Sequence, residues 1–304
     1  MTRPCKIGVQ LPEVERFVPW PELIAMARSA EEVGFDSIWL GDHLLYDLPD
    51  GTVRGPWEVF TSLAALAAVT SRVQLGSLVA SLGFHEPAML AKMAATVDGI
   101  SGGRLILGVG AGWNRREYDA YGFPYDHRVD RFEEAFGVIR RLLAGDTVTH
   151  TGAYYTLDSC VVDPPAARPG GPLLMLGSNS PRMLSIGLPH VHQWNVWWSL
   201  YGNTPEGFAA VVADVRARTE AVGRDPDEVE ATACVYVQLP SGGGRTMGDP
   251  TSTSAPPVAG TTRQIADRLA AFAAAGAHHM QLVVDPITQP AIEQLGEVLA
   301  ALDA

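Results

Sequence analysis

Leu105-Ile106-Leu107-Gly108-Val109 is an unbroken apolar run. Without a polar residue in alternation, it reads as a strand covered on both faces rather than one with a solvated side. A helical stretch from Pro87 to Ile100 precedes it, and the same order recurs outward in both directions. Towards the N-terminus, Val73 to Ala80 reads as a strand after the helix Pro56 to Val69. Asp36-Ser37-Ile38-Trp39-Leu40 follows the helix Pro21 to Val33, with proline in the first turn and Gly34 just past the last. Lys6 to Leu11 opens the series. Towards the C-terminus, Pro172 to Leu176, Val191 to Val196, Val229 to Leu239 and His279 to Val284 read as strands. The helices Asp130 to Leu143, Ser180 to Gly187, Thr204 to Val222, Thr262 to Ala275 and Ile292 to Leu302 separate and close them. Eight strands, each followed by a helix, predict a (β/α)8 barrel as a single domain over residues 1–304. The rival, a doubly wound sheet, runs to about five or six strands.

The surplus length falls in loops after strands: Gly41 to Gly55, Ala111 to His127, Gly145 to Gly171 and Pro240 to Gly260. In a barrel these lie over the face that binds ligands. Within them, Asp146 to Cys160 reads as a hairpin, with Thr147 to His150 and Tyr154 to Leu157 flanking Thr151-Gly152-Ala153. The Ser, Gly, Thr and Pro-rich stretch Ser241 to Pro257 reads as a lid, since it follows a strand.

Charge narrows the classes of partner. The 304 residues carry 22 Lys and Arg against 34 Asp and Glu, a net charge of −12. That argues against a nucleic acid, whose phosphates require concentrated positive charge. Three scattered cysteines, Cys5, Cys160 and Cys234, exclude a disulfide scaffold and fit a reducing compartment. No apolar run approaches the roughly 20 residues of a membrane span, and Met1 to Lys6 lead into a run too short for a secretory leader. A soluble, cytoplasmic protein is expected.

Several motifs carry possible chemistry. Gly108-Val109-Gly110-Ala111-Gly112-Trp113-Asn114 follows a strand but does not match GxGxxG, so it is either a site of close backbone approach or a ligand loop. Leu176-Gly177-Ser178-Asn179-Ser180-Pro181 joins a strand to a helix, and is either an anion cradle or an ordinary capped turn. Asp42-His43 directly follows the second strand, a placement suited to proton transfer or to hydrogen bonding with a polar ring. His85 and Glu13 follow the third and first strands on the same rim. The pairs His190/His192 and His278/His279 begin strands, towards the opposite rim, with no carboxylate at ligand spacing, so no metal centre is expected. The hydrolase signatures GxSxG and HExxH are absent.

Taken in order, these segments resemble the bacterial luciferase-like flavin and deazaflavin oxidoreductases. The resemblance runs through Lys6 to Pro12, Ala30 to His43, Leu75 to Val79, Glu86 to Lys92, and most strongly Gly102 to Asn114 with Glu117-Tyr118. It implies a barrel holding the ring of FMN or of the deazaflavin coenzyme F420 at its C-terminal mouth. A non-proline cis peptide that backs the ring would fall at Leu78–Val79. The family's phosphate loop would map to Gly177, Ser178 and Asn179, and its ribityl contacts to Gly110, Ala111 and Asn114. Asp42 and His43 would lie by the ring, the histidine assisting proton movement. The sugar-phosphate dehydrogenases of the deazaflavin branch carry a glutamate where this chain has Trp113, which disfavours that substrate.

Three functions follow from this. The leading expectation is an oxidoreductase passing a hydride between F420 and a small organic molecule. The second is an FMN-dependent monooxygenase using reduced flavin and O₂, and the third a cofactor-free barrel that serves assembly. Trp39, Trp113, Trp194, Trp197 and Trp198 either wall a pocket or pack the core. Similar barrels pair through helices matching Pro56 to Val69 and Pro87 to Ile100, so the resemblance implies a homodimer.

Overall fold

A computed structural model describes residues 3–243 and 255–304 of the chain. All eight expected strands are present: β1 (Lys6–Gln10), β2 (Ser37–Leu40), β3 (Gln74–Ser77), β4 (Leu105–Gly110), β5 (Leu173–Gly177), β6 (Gln193–Val196), β7 (Glu230–Gln238) and β8 (His279–Asp285). They form one sheet in the order β5-β6-β7-β8-β1-β2-β3-β4, with β4 also paired to β5, the (β/α)8 barrel. The helices are α1 (Trp20–Glu32), α2 (Val59–Val69), α3 (Pro87–Ser101), α4 (Arg115–Tyr121), α5 (Arg128–Leu143), α6 (Pro181–Gly187), α7 (Pro205–Ala221), α8 (Thr262–Ala274) and α9 (Gln289–Asp303). By contact density the chain divides into two units, Met1–Trp39 with Leu176–Ala304, and Leu40–Met175.

In the first unit β1 lies between β8 and β2, in parallel register with Lys6 opposite His279 and Gly8 opposite Ser37. Gly8 has no room for a side chain, because a Cβ there would overlap Ser37 Oγ and the Trp39 indole nitrogen. α1 buries Leu23, Met26, Ala27 and Ala30, the i, i+3, i+4, i+7 face, and packs against α9. Arg3 ties the ends of the chain together, pairing with Asp36 and Asp303 at 2.9 Å each. α8 opens on a capping box between Thr261 and Gln264. Of the expected lid Ser241 to Pro257, residues 244–254 lie outside the described residues. Beyond them Ala255 and Val258 are buried, and Val258 bridges to Val237 of β7.

In the second unit the third strand is not the continuous Val73 to Ala80 expected. β3 pairs Leu75 with Leu105 and Gly76 with Ile106, and a two-residue continuation pairs Ala80 with Val109 and Ser81 with Gly110. Gly76 to Ala80 is four steps against three from Ile106 to Val109, so one extra residue bulges out of the strand. The Leu78–Val79 peptide within it is cis, at the position the resemblance implied. Gly108 is the seat of the bulge, since a Cβ there would overlap the Ser77 carbonyl oxygen, Met175 and Val79. Ser77 Oγ in turn donates to the Gly108 carbonyl at 2.8 Å.

The hairpin in this unit is shifted from its expected position. Val148–Thr151 pairs antiparallel with Thr156–Cys160, leaving residues 152–155 as the turn. The Glu134 carboxylate on α5 accepts from the backbone N–H groups of Ala153, Tyr154 and Tyr155 and from His150 Nε2. These amides therefore face a side chain instead of a partner strand, which delays the second strand to Thr156. No helix among the described residues is long and apolar enough to cross a membrane.

Candidate active site

Within the second unit, the C-terminal ends of β2, the bulged third strand and β4 carry a polar cluster under an aromatic rim. Asp42 is 4% exposed. Its Oδ2 accepts from the Ser81 backbone N–H and from His85 Nε2, both at 2.8 Å. The carboxylate thus holds the end of the bulge and the following histidine in one place. His43, the next residue, donates from Nδ1 to both oxygens of Glu117 at 3.1 Å. Glu117 is 1% exposed and also accepts from the backbone N–H groups of Leu44 (2.6 Å) and Leu45 (3.3 Å). Its carboxylate therefore fixes both the imidazole and the chain that follows it. With Nδ1 so engaged, the ring directs Nε2 away from Glu117. Tyr46 and Trp113 flank the imidazole, with ring centroids 4.7 and 5.7 Å away. Trp113 is half-exposed.

A second strut lies beneath. The Tyr118 hydroxyl donates to the Ala111 carbonyl and meets Ser81 Oγ, both at 2.9 Å. Burial pushes the Tyr118 phenol above its ordinary pKa, against the opposing effect of the Ser81 hydrogen bond. Gly112, at φ +72°, could carry no side chain, because a Cβ would overlap both hydroxyls. The glycine run is therefore, in part, a site of close backbone approach. Asn114 caps α4, accepting from the Arg116 N–H, and donates to the Leu45 carbonyl at 3.3 Å. Gly110 continues β4 opposite Ser81. The site residues expected at Asp42, His43, Leu78, Val79, Gly110, Ala111 and Asn114 all belong to this unit.

Gly177, Ser178 and Asn179 belong to the first unit. There Trp194 Nε1 donates to the Ser178 carbonyl at 2.8 Å, and Ser180 caps α6 by accepting from the Met183 N–H. Asn179 Oδ1 is a buried oxygen with no partner. Glu13 is buried and accepts from Gln10 Nε2. His279 is wholly buried, and burial, aided by Lys6, lowers its pKa to about 3, so it is a neutral core group. Of the five tryptophans singled out from the sequence, Trp39, Trp194 and Trp198 pack the core, and Trp113 is half-exposed.

Three residues of the cluster were not singled out from sequence: Glu117, Ser81 and Tyr118 as partners of the site. α4 itself fell inside the expected loop Ala111 to His127. The signal was present, since Asn114 followed three residues later by Glu117, with Gly122 beyond, is the capping pattern of a short helix. Here the glutamate serves the β2 loop instead of its own helix.

This arrangement can accept or deliver a proton at His43 and keep the imidazole oriented while it does so. Glu117→Gln keeps the shape but removes the charge and an acceptor. We expect it to lower turnover by ~10-fold or more and stability by roughly 1–3 kcal/mol, read by steady-state kinetics and urea unfolding. Unchanged kinetics would remove Glu117 from the site.

The chain belongs to the luciferase-like monooxygenase family, whose family model matches residues 6–240. Among relatives, the pyrimidine monooxygenase RutA of Cronobacter sakazakii is 36% identical over 174 residues, 55% of this chain and 50% of that protein. The phthiodiolone/phenolphthiodiolone dimycocerosates ketoreductase of Mycobacterium bovis is 30% identical over 223 residues, 67% of this chain and 58% of that protein. This chain thus spans about half the length of the first relative and 58% of the second. Among solved structures, an F420-dependent secondary alcohol dehydrogenase in complex with an F420–acetone adduct superimposes over 99% of both chains, with TM-score 0.82 and 21% identity. The EDTA monooxygenase EmoA from Chelativorans sp. BNC1 does so over 99% of this chain and 94% of that one, with TM-score 0.80 and 17% identity. At such identities the likeness establishes the fold. The family is that of the luciferase-like oxidoreductases and monooxygenases.

Proposed function

We propose that this protein is an F420-dependent oxidoreductase exchanging a hydride with an organic alcohol or carbonyl compound, with His43 moving the accompanying proton. The observation that carries the reading is the pairing of His43 Nδ1 with the buried Glu117 carboxylate. A charge-supported imidazole is useful where an alcohol must lose a proton or a carbonyl must gain one. The ketoreductase relative and the secondary alcohol dehydrogenase structure lend the same direction. When bound, the deazaflavin supplies the two-electron redox step.

The residues present fit such a cofactor. Gly110-Ala111 lie at the end of β4 beside the bulged strand, and Gly177-Ser178-Asn179 form the turn into the capped start of α6, where backbone N–H groups favour a phosphate. In this reading Leu78, Val79, Gly110, Ala111 and Asn114 border the ring and ribityl chain, and Gly177, Ser178 and Asn179 take the phosphate. Asp42 steadies Ser81 and His85, and His43 handles the proton. Residues 1–304 act as a single domain, cytoplasmic, and paired as a homodimer through α2 and α3. Titration of the purified protein with F420 and with FMN, followed by tryptophan fluorescence, tests the cofactor. Saturable binding of F420 well below the concentration needed for FMN supports the reading. The reverse order replaces it with FMN-dependent monooxygenation, and binding of neither leaves a cofactor-free barrel.

A further inference from the structure

Ser37, Gln193, Asn195, Thr232, His279 and Gln281 are polar, at most 5% exposed, and all lie on β2, β6, β7 and β8. Register places them side by side, Asn195 opposite Thr232 and Thr232 opposite His279. Each of their three amides is hydrogen-bonded. Asn195 Nδ2 donates to Thr232 Oγ1 (2.9 Å) and to Gln281 Oε1 (2.7 Å), while Asn195 Oδ1 accepts from the Cys234 thiol. Gln193 Nε2 donates to the Glu230 carboxylate at 2.7 Å. Trp39 Nε1 donates to Ser37 Oγ at 2.7 Å, and the serine hydroxyl can in turn donate to His279 Nε2, also 2.7 Å away. A neutral histidine accepting at Nε2 carries its proton on Nδ1. Three fully buried polar atoms are then without a partner: His279 Nδ1–H, Gln281 Nε2–H and Gln193 Oε1.

We propose that these three groups form an internal water-binding site within the strands of the first unit. The count of donors and acceptors selects the ligand. Two N–H donors and one carbonyl acceptor match water, which accepts twice and donates to the third group. A metal ion would face two N–H hydrogens, and a halide would face the Gln193 carbonyl. The Glu230 carboxylate holds Gln193 by accepting from Nε2, and a joint flip of Asn195 and Gln281 would offer a second carbonyl, to which water donates equally well. Burial keeps His279 neutral, so one ring nitrogen donates while the other accepts. Glu230, which holds Gln193, also lines a surface cleft of about 700 Å³ with Cys5, Lys6, Asp36 and His278.

The test is a crystal structure at a resolution of about 1.5 Å or better, grown with sodium bromide. The expected result is a peak without anomalous signal, about 2.7–3.2 Å from His279 Nδ1 and from at least one of the two glutamine atoms. An anomalous peak, or side chains repacked against each other with no peak, overturns the proposal. Gln281→Leu should abolish the peak. Should that variant fail to fold, ¹⁵N spectra of the wild-type protein give a second reading. His279 protonated at Nδ1 throughout the folded pH range supports the site, and protonation at Nε2 overturns it.

Discussion

Replacement of His43 by alanine should lower turnover by ~10²-fold or more while leaving cofactor affinity nearly unchanged. The asymmetry follows from where the side chain reaches. Its Nδ1 is engaged by Glu117, its ring is flanked by Tyr46 and Trp113, and it is 19% exposed, so it is accessible without being a principal packing element. Removing it eliminates the imidazole that Glu117 orients, while Gly110 keeps its pairing with Ser81 on the bulged strand. The residue left behind is an acidic group, and Glu117 retains the Leu44 and Leu45 amides as partners, so the loop after β2 should keep its course. Steady-state kinetics and a fluorescence titration with the cofactor that the binding test selects measure the two quantities separately. A loss of affinity equal to the loss of rate would make His43 a binding residue, and unchanged turnover would remove it from the reaction.

The largest expected effect on stability is that of Gly108→Ala. Overpacking a core position costs about 1–3 kcal/mol and occasionally more, and this position has little means of relaxing. The added methyl meets a backbone oxygen, that of Ser77, as well as Met175 and Val79. The backbone it presses on is pinned on both sides. Ser77 Oγ is bonded to the Gly108 carbonyl, and the Leu78 N–H donates to the Leu40 carbonyl at 2.7 Å. We therefore expect a loss at or above the upper end of that range, read as a lower urea midpoint at constant m-value. Gly137→Ala is the matched control. It lies on α5 where a Cβ meets nothing within 4 Å, and should gain roughly 0.5–1 kcal/mol. Equal behaviour of the two variants would dismiss the steric argument.

The fold was legible because its signals are local and repeated. Apolar strands such as Leu105 to Val109, prolines opening helices α3 and α6, and glycines at Gly34 and Gly276 after α1 and α8 each act over a few residues. The rim of the site was legible in the same way, since Asp42 and His43 directly follow a strand. What the sequence did not disclose depends on distance along the chain. Glu117 meets His43 from 74 residues away, and Tyr118 meets Ser81 from 37. Neither pairing leaves a periodic trace. The break in the third strand was concealed for a related reason. Val73 to Ala80 is mostly apolar, as a covered strand should be, and the bulge is set by the counterpart glycine on β4. The second strand of the hairpin started late because Glu134 claimed its amides, again a contact between separate elements.

The contrast between Trp113 and the struts around it has a consequence for how such a protein changes over generations or in the laboratory. Positions 42, 81, 108, 112 and 118 each satisfy two constraints at once, so almost any exchange there damages the scaffold before it alters selectivity. Trp113 projects half of its indole outward and shares no side-chain hydrogen bond with them. Diversification of the mouth is therefore channelled to that one tryptophan and its exposed neighbours, the place where a mutant library is best spread.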